Sequence, residues 1–394
     1  MSVPGFVAGA TSAGIRYQRR PDLALIVSEV PAVAAGTFTT NRVQGAPVVL
    51  SRHHLAHGSA RAIVVNSGIA NACTGELGLE RARVVARLTA EAIGCRLEEV
   101  LVASTGVIGI PPPLEPFVAS LPKLAAGLHA QGWMDAARAI MTTDTVPKSH
   151  MERDRLDGLS FTVLGIAKGA GMICPDMATL LAFVATDVAV LPPVLQTLVR
   201  EETERSFNRI TVDGDTSPSD TLYVLANGRL DNRPIADLTS PAGERFRQAL
   251  RGTLLNLAEQ IVADGEGATK FVEIRVVGAS SHTEALCGAR TVANSPLVKT
   301  AFFGEDANWG RILAALGRAG IDFDPNRVHL WFNGVKLVAD GLLLAEEREK
   351  QVNQILARRR FSITIDLGKG QAEEAVYTCD LSPEYVKINA GYRS

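Results

Sequence analysis

Aromatic residues make up only 5% of this 394-residue chain, and it has just five cysteines, at positions 73, 95, 174, 287 and 379. They are far apart, odd in number and include no Cys-x-x-Cys pair, which supports neither a disulfide framework nor a thiolate zinc site. No apolar run reaches the roughly 18 residues of a membrane span. The start, Met1-Ser-Val-Pro-Gly-Phe6, lacks the basic and apolar regions of a secretory leader, so a cytoplasmic chain is expected. A net charge of −2 without a long run of one sign gives no nucleic-acid footprint. Gly-x-Gly occurs at Gly169/Gly171 and Gly265/Gly267 without the rest of a dinucleotide fingerprint. Walker A and Gly-x-Ser-x-Gly motifs are lacking. His53, His54 and His57 read as solvated helix positions, and no metal site is expected.

What the chain does have is 46% hydrophobic and 21% charged residues, the balance of a soluble globular protein, with 35 glycines for tight turns and close packing. Its length predicts two packed domains or lobes. Strands are expected at 23–27, 47–50, 62–65, 100–103, 159–165, 180–185, 221–226, 271–277, 328–332, 361–365 and 376–379. Helices are expected at 80–93, 135–141, 192–207, 289–302 and 309–316. Ser240-Pro241 is a helix cap and first turn, opening a helix whose Phe246, Leu250, Leu254, Leu257 and Ile261 form one buried stripe. Strands interleaved with helices give a mixed α/β class.

The segment most suggestive of chemistry is Lys168-Gly-Ala-Gly-Met-Ile-Cys-Pro-Asp-Met-Ala178-Thr179. A threonine hydroxyl is a poor nucleophile without a base. If the Ala178–Thr179 bond is cut, the residue's own α-amine, titrating near pH ~7.7–8.0, becomes that base. Read blandly, Ala178-Thr179 is an ordinary strand or helix pair. Cys174, with neither a base nor a cation beside it, reads as a small buried thiol. Ser104-Thr105-Gly106 follows a strand, where a glycine lets the backbone turn and present N–H groups; a plain turn is the alternative. Met141-Thr-Thr-Asp-Thr145 is a hydroxyl-rich helix end. Asp264-Gly-Glu266-Gly-Ala-Thr-Lys270 is either a helix cap with incidental charge or a glutamate held between glycines.

The run around Thr179 resembles the processing site of the ornithine acetyltransferases, the glutamate N-acetyltransferases of arginine biosynthesis. The resemblance extends from about residue 37 to the C-terminus. It includes Asn66-Ser-Gly-Ile-Ala-Asn-Ala-Cys-Thr-Gly75, Asp213-Gly-Asp-Thr-Ser-Pro-Ser-Asp-Thr221, Asn294-Ser-Pro-Leu-Val-Lys-Thr-Ala301, Asn308-Trp-Gly-Arg311 and the ending Ile388-Asn-Ala-Gly-Tyr-Arg-Ser394. Ile69, Ala307 and Gly391 depart from the family's asparagine, proline and acidic residue.

This resemblance implies an αββα-like layered sandwich of the self-processing N-terminal-nucleophile type. It implies an α chain of residues 1–178 and a β chain of 179–394, with Ala178 and Thr179 at the cut. Thr179 would be the nucleophile, with Thr105 and Gly106 lining the oxyanion hole. Thr142, Lys168, Thr179, Glu266, Asn389 and Ser394 would bind substrate. Thr142 is preferred to Thr143 as the substrate-binding threonine of its motif. Acetyl would move from N-acetylornithine to glutamate through an acyl-threonine, so ornithine is released and no cofactor is needed. Whether acetyl-CoA is a second donor stays open, and an α2β2 assembly is implied. Two other readings stand beside this one: a threonine-dependent aminopeptidase or amidase that gives the acyl group to water, and a noncatalytic α/β binding protein with Thr179 in its core.

Overall fold

The computed structural model describes residues 1–174 and 180–391. Two compact units account for them. The first is built from the N-terminal half and the long helix of the middle segment. Its elements are β1 (Phe6–Thr11), β2 (Leu23–Phe38), α1 (Ala46–Leu55), β3 (Ser59–Ile69), α2 (Gly75–Ile93), β4 (Val100–Val107), α3 (Glu115–Ala126) and α4 (Trp133–Ala139). They continue with β5 (Lys148–Leu156), β6 (Leu159–Lys168), β7 (Leu181–Thr186), α5 (Pro192–Glu204), β8 (Thr221–Ala226) and α6 (Pro241–Ala263).

The strands of this unit run in the order β4-β3-β2-β8-β7-β6-β5, with β1 also on β2. The long strand β2 serves both halves of the sheet: residues 23–28 pair with β1, residues 33–38 pair with β8, and its pairing with β3 shifts register between Val27 and Ala32. Alternation does the rest, because successive side chains point to opposite faces. Ile26, Ile63 and Leu101 from one half share a buried cluster with Leu164, Phe183 and Leu225 from the other, and Trp133 of α4 fills it. The opposite face of the first half, with Leu25, Val64 and Val102, packs under α1, α2 and α3. Phe161, on the opposite face of β6, meets Phe246 of α6 at 6.4 Å. Helices thus lie outside both sheet halves, which is the αββα-like layering expected from the resemblance. The predicted stripe of α6 is fully buried, and Ser240 Oγ caps the helix by accepting the Gly243 N–H at 3.1 Å.

The second unit contains β9 (Phe271–Ala279), α7 (His282–Ala293), α8 (Pro296–Phe303), α9 (Trp309–Gly317), β10 (His329–Phe332), β11 (Val335–Ala339) and β12 (Leu342–Leu343). It ends with α10 (Glu346–Leu356), β13 (Arg360–Asp366), β14 (Ala372–Cys379) and α11 (Pro383–Gly391). Its sheet has the order β12-β11-β10-β13-β9-β14. Val272, Ile274 and Val276 of β9 face a core shared with α7, α8, α9 and α10.

Several expectations need correction. Residues 47–50 are helix, not strand: Pro47 occupies the first turn of α1, where its missing N–H costs nothing. The helix expected over 289–302 is two helices, broken at Asn294-Ser295 before Pro296. His54 is buried rather than solvated, and its Nδ1 pairs with the Val100 carbonyl at 2.8 Å. Cys174 is half-buried. Thr105 and Gly106 lie inside β4, which continues to Val107, instead of following it. Among the described residues no helix is long and apolar enough to cross a membrane.

Candidate active site

In the first unit, β3 and β4 run parallel, with Ser67 opposite Thr105 and Gly68 opposite Gly106. Gly106 has φ +130°, a conformation side chains avoid, and a Cβ there would stand 2.1 Å from the Gly68 carbonyl carbon. Only glycine fits, so the end of β4 bends tightly against β3 and holds Thr105 in place. Thr105 is buried, and its Oγ1 accepts a hydrogen bond from Lys168 Nζ at 3.2 Å. Lys168 is the last residue of β6 and is itself buried, a costly position for an ammonium that needs charge nearby.

Asp144 supplies part of that charge. It sits in the loop after α4 and accepts the N–H of Thr142 at 3.0 Å, the N–H of Gly169 at 2.7 Å and Lys148 Nζ at 2.7 Å. Burial alone would raise its pKa. The ammoniums of Lys168 and Lys148, with these hydrogen bonds, overcome that and lower it to about 2. Asp144 thus joins the hydroxyl-rich loop, through Thr142, to the Lys168-Gly169 backbone. Four of the expected site residues, Thr105, Gly106, Thr142 and Lys168, belong to this one cluster.

Ala178 and Thr179 lie outside the described residues, but the next residue is firmly held. Leu180 donates its N–H to Asp220 Oδ1 at 2.9 Å, and its carbonyl accepts the Thr221 N–H at 3.1 Å. Leu181 pairs with Lys168 across the β6–β7 ladder and with Thr221 across the β7–β8 ladder. The point where the chain resumes after Thr179 therefore lies beside Lys168. Asp220 is completely buried, and burial pushes its carboxyl well above the usual range, against the opposing pull of the Leu180 amide, Lys168 and the Ser217 amide.

In the second unit, Glu266 and Asn389 meet. Asn389 Nδ2 donates to Glu266 Oε2 at 2.7 Å and to the Tyr385 carbonyl at 3.0 Å. The Glu266 loop is clamped by the chain after β14: Asp380 accepts the Thr269 and Lys270 N–H groups, each at 2.8 Å, and Ser382 Oγ donates to the Gly267 carbonyl at 2.6 Å. Gly267 has φ +70°, and a Cβ on it would come 2.6 Å from the Tyr385 nitrogen. The C-terminal segment is thus tied to the Glu266 loop by hydrogen bonds at Ser382 and Asn389, although no residue of α11 is buried, whereas Ser394 lies outside the described residues.

Asp144 and Asp220 were not singled out from sequence. The available signals were weak: Asp144 is the one carboxylate in a hydroxyl-rich loop with a lysine four residues on, and Asp220 ends a polar segment just before a strand. Among the described residues there is no cluster of three His, Cys, Asp or Glu able to hold a metal ion.

Comparison with known proteins agrees with the motifs. The model of the ArgJ family matches residues 7–394. The arginine biosynthesis bifunctional protein ArgJ of Geobacter sulfurreducens is 50% identical over 394 residues, covering all of both chains. The protein of the same name from Desulfotalea psychrophila is likewise 50% identical over the whole of both chains. A crystal structure of the ArgJ protein of Bacillus halodurans is 36% identical with a TM-score of 0.51, covering 53% of this chain and 98% of that one. A match of this length and identity leaves one assignment: the chain belongs to the ArgJ family.

Proposed function

We propose that this protein is a glutamate N-acetyltransferase that activates itself by cutting the Ala178–Thr179 bond. The observation that carries the reading is the buried Lys168–Thr105 contact beside Gly106, with Lys168 at the sheet position where the chain resumes at Leu180. A lysine donating to a threonine oxygen leaves that threonine's own O–H directed elsewhere. Together with the backbone N–H of Gly106, this makes a pair of donors suited to an oxyanion.

In the first step Thr179 Oγ attacks the Ala178 carbonyl. The C–N bond breaks, the nitrogen takes a proton and becomes the α-amine, and water hydrolyses the resulting ester. The chains 1–178 and 179–394 stay joined, because β6 precedes the cut, β7 follows it, and the two pair from Lys168–Leu181 to Val163–Thr186. In the transfer cycle the α-amine takes the Oγ proton while Oγ attacks the acetyl carbon of N-acetylornithine. The tetrahedral oxygen is held by Thr105 and Gly106. Collapse releases ornithine, whose nitrogen receives the proton, and leaves acetyl-Thr179.

Glutamate then attacks the acetyl carbon with its neutral amine, its proton passes to the α-amine and on to Oγ as the Oγ–acetyl bond breaks, and N-acetylglutamate leaves with the Thr179 hydroxyl restored. One amide is exchanged for another of similar energy, so the exchange calls for no cofactor. Lys168 suits the substrate carboxylate, and the family resemblance gives Thr142, Glu266, Asn389 and Ser394 as further substrate ligands. Acetyl-CoA could charge the same threonine from a thioester, which would fit the bifunctional name of the relatives. The cut chains are taken to assemble as α2β2 in the cytoplasm.

Thr179→Ala should migrate as one full-length band on a denaturing gel and exchange no acetyl, whereas the wild type gives two bands. Normal splitting of the variant would overturn the proposal. Release of the acetyl group by glutamate rather than by water separates this enzyme from a threonine-dependent amidase.

A further inference from the structure

Asp220 presents a feature that the transfer reaction as written does not use. Its carboxyl is wholly buried, one oxygen holds the Leu180 N–H at 2.9 Å, and Oδ2 is buried without a hydrogen-bond partner among the described residues. A buried carboxylate with a bare oxygen is costly, and the native fold retains such a group only where something compensates. The group stands at a specific place. Asp220 and Thr221 together grip both polar groups of the Leu180 backbone, N–H on one side and carbonyl on the other. Asp220 in turn is fixed by its own carbonyl, which accepts the Thr39 N–H at 3.0 Å.

We infer that Asp220 is a positioning residue for the reaction at Thr179: its Oδ1 anchors the amide of Leu180, the residue that follows the nucleophile. The inference rests on reading Thr179 as the nucleophile. Once the bond before Thr179 is cut, that residue is a chain terminus joined to the rest of its chain by the 179–180 peptide, and the N–H of that peptide is the group on Asp220. Loss of this anchor leaves the nucleophile free to swing, and a misplacement of about 1 Å can cost on the order of a hundredfold in rate. Its surroundings favour the neutral acid: burial raises the carboxyl's pKa and outweighs the opposing pull of the Leu180 amide, the Lys168 charge and the Ser217 amide.

Asp220→Asn keeps an acceptor and a donor in the same positions without a charge, whereas Asp220→Ala removes both. Cutting would be followed on denaturing gels, transfer by kcat and KM for glutamate, and folding by circular dichroism and Tm. Asp220→Ala should cut and turn over about a hundredfold more slowly with KM little changed. Asp220→Asn should recover at least tenfold of that loss. The wild type should show an infrared band of a protonated carboxyl that is lost in Asp220→Asn. An Asn variant as impaired as the Ala variant, or an unimpaired Ala variant, would overturn the proposal, and absence of the band would overturn the neutral form. If Asp220→Ala fails to fold, the Asn variant decides. If the wild type itself stays uncut, the self-processing reading fails, and the band still reports whether Asp220 is neutral.

Discussion

Lys168 and Thr105, 63 residues apart in the chain, are joined by a 3.2 Å hydrogen bond in which both side chains are buried. The direction of the bond decides its consequence. The ammonium can only donate, so the Thr105 oxygen is the acceptor and its proton is available for a third group, with its donor strength increased by the neighbouring charge.

Thr105→Val removes the hydroxyl while nearly keeping the shape. In the proposed oxyanion role of Thr105, loss of one donor costs ~2.7–4 kcal/mol, so kcat for acetyl exchange should fall by roughly 10²–10³ with KM changing little. Thr105→Ser should retain most of the activity. Steady-state kinetics of the two variants side by side would test this.

Gly106→Ala should fail at the level of folding rather than chemistry. The new methyl would overlap the Gly68 backbone at a φ that side chains avoid, so β3 and β4 would have to separate at that end. Backbone strain of this kind costs on the order of 1–3 kcal/mol before the overlap is counted. A lowered Tm or loss of soluble protein is expected, and a wild-type Tm would contradict the close approach.

Asp144 gives the protein an acid limit. Its pKa is about 2 when folded against an ordinary value of 3.8, so it contributes stability that is fully present above the unfolded value and is lost as pH falls through the folded one. A shift of that size is on the order of 2 kcal/mol. Denaturant midpoints should therefore drop between about pH 4 and pH 2. Asp144→Asn should be less stable than wild type at neutral pH by about 3–5 kcal/mol, because Lys148 loses its buried partner. The gap should narrow in acid. A constant difference across that range would assign the loss to packing alone.

Asn389→Asp tests the clamp of the second unit. The asparagine donates to Glu266 at 2.7 Å, and a carboxylate in its place would put two like charges at hydrogen-bond distance. KM for the amino-acid substrate should rise more in Asn389→Asp than in Asn389→Ala, with the difference shrinking as pH is lowered toward carboxyl protonation. Equal effects of the two variants would remove Glu266 from the argument.

The regular elements were legible where periodicity was strong. The α6 stripe, the strand at 221–226 and the Ser240 cap were read correctly because spacing and capping chemistry are local properties. The helix α1 was not, since Pro47-Val-Val-Leu50 is a short apolar run that fits either element. What makes it helix is its seat on β4, where Ser51 and His54 bond the Val102 and Val100 carbonyls. The strand β5, rich in charge, was missed because its form comes from pairing with β6.

The sequence by itself determined the family and named the candidate nucleophile and candidate site residues, because those reside in contiguous motifs whose residue types and spacing survive without coordinates. Only the tertiary structure decided that Thr105 is polarised by Lys168, that Asp144 holds the Thr142 loop against Gly169, and that Asp220 grips the residue following Thr179. Each is a contact across 25 to 63 residues of chain, apart from the local Thr142 amide, and each depends on burial. An aspartate in a polar segment looks the same in sequence whether water surrounds it or a sheet covers it, and only covering it makes its charge and its unused oxygen matter.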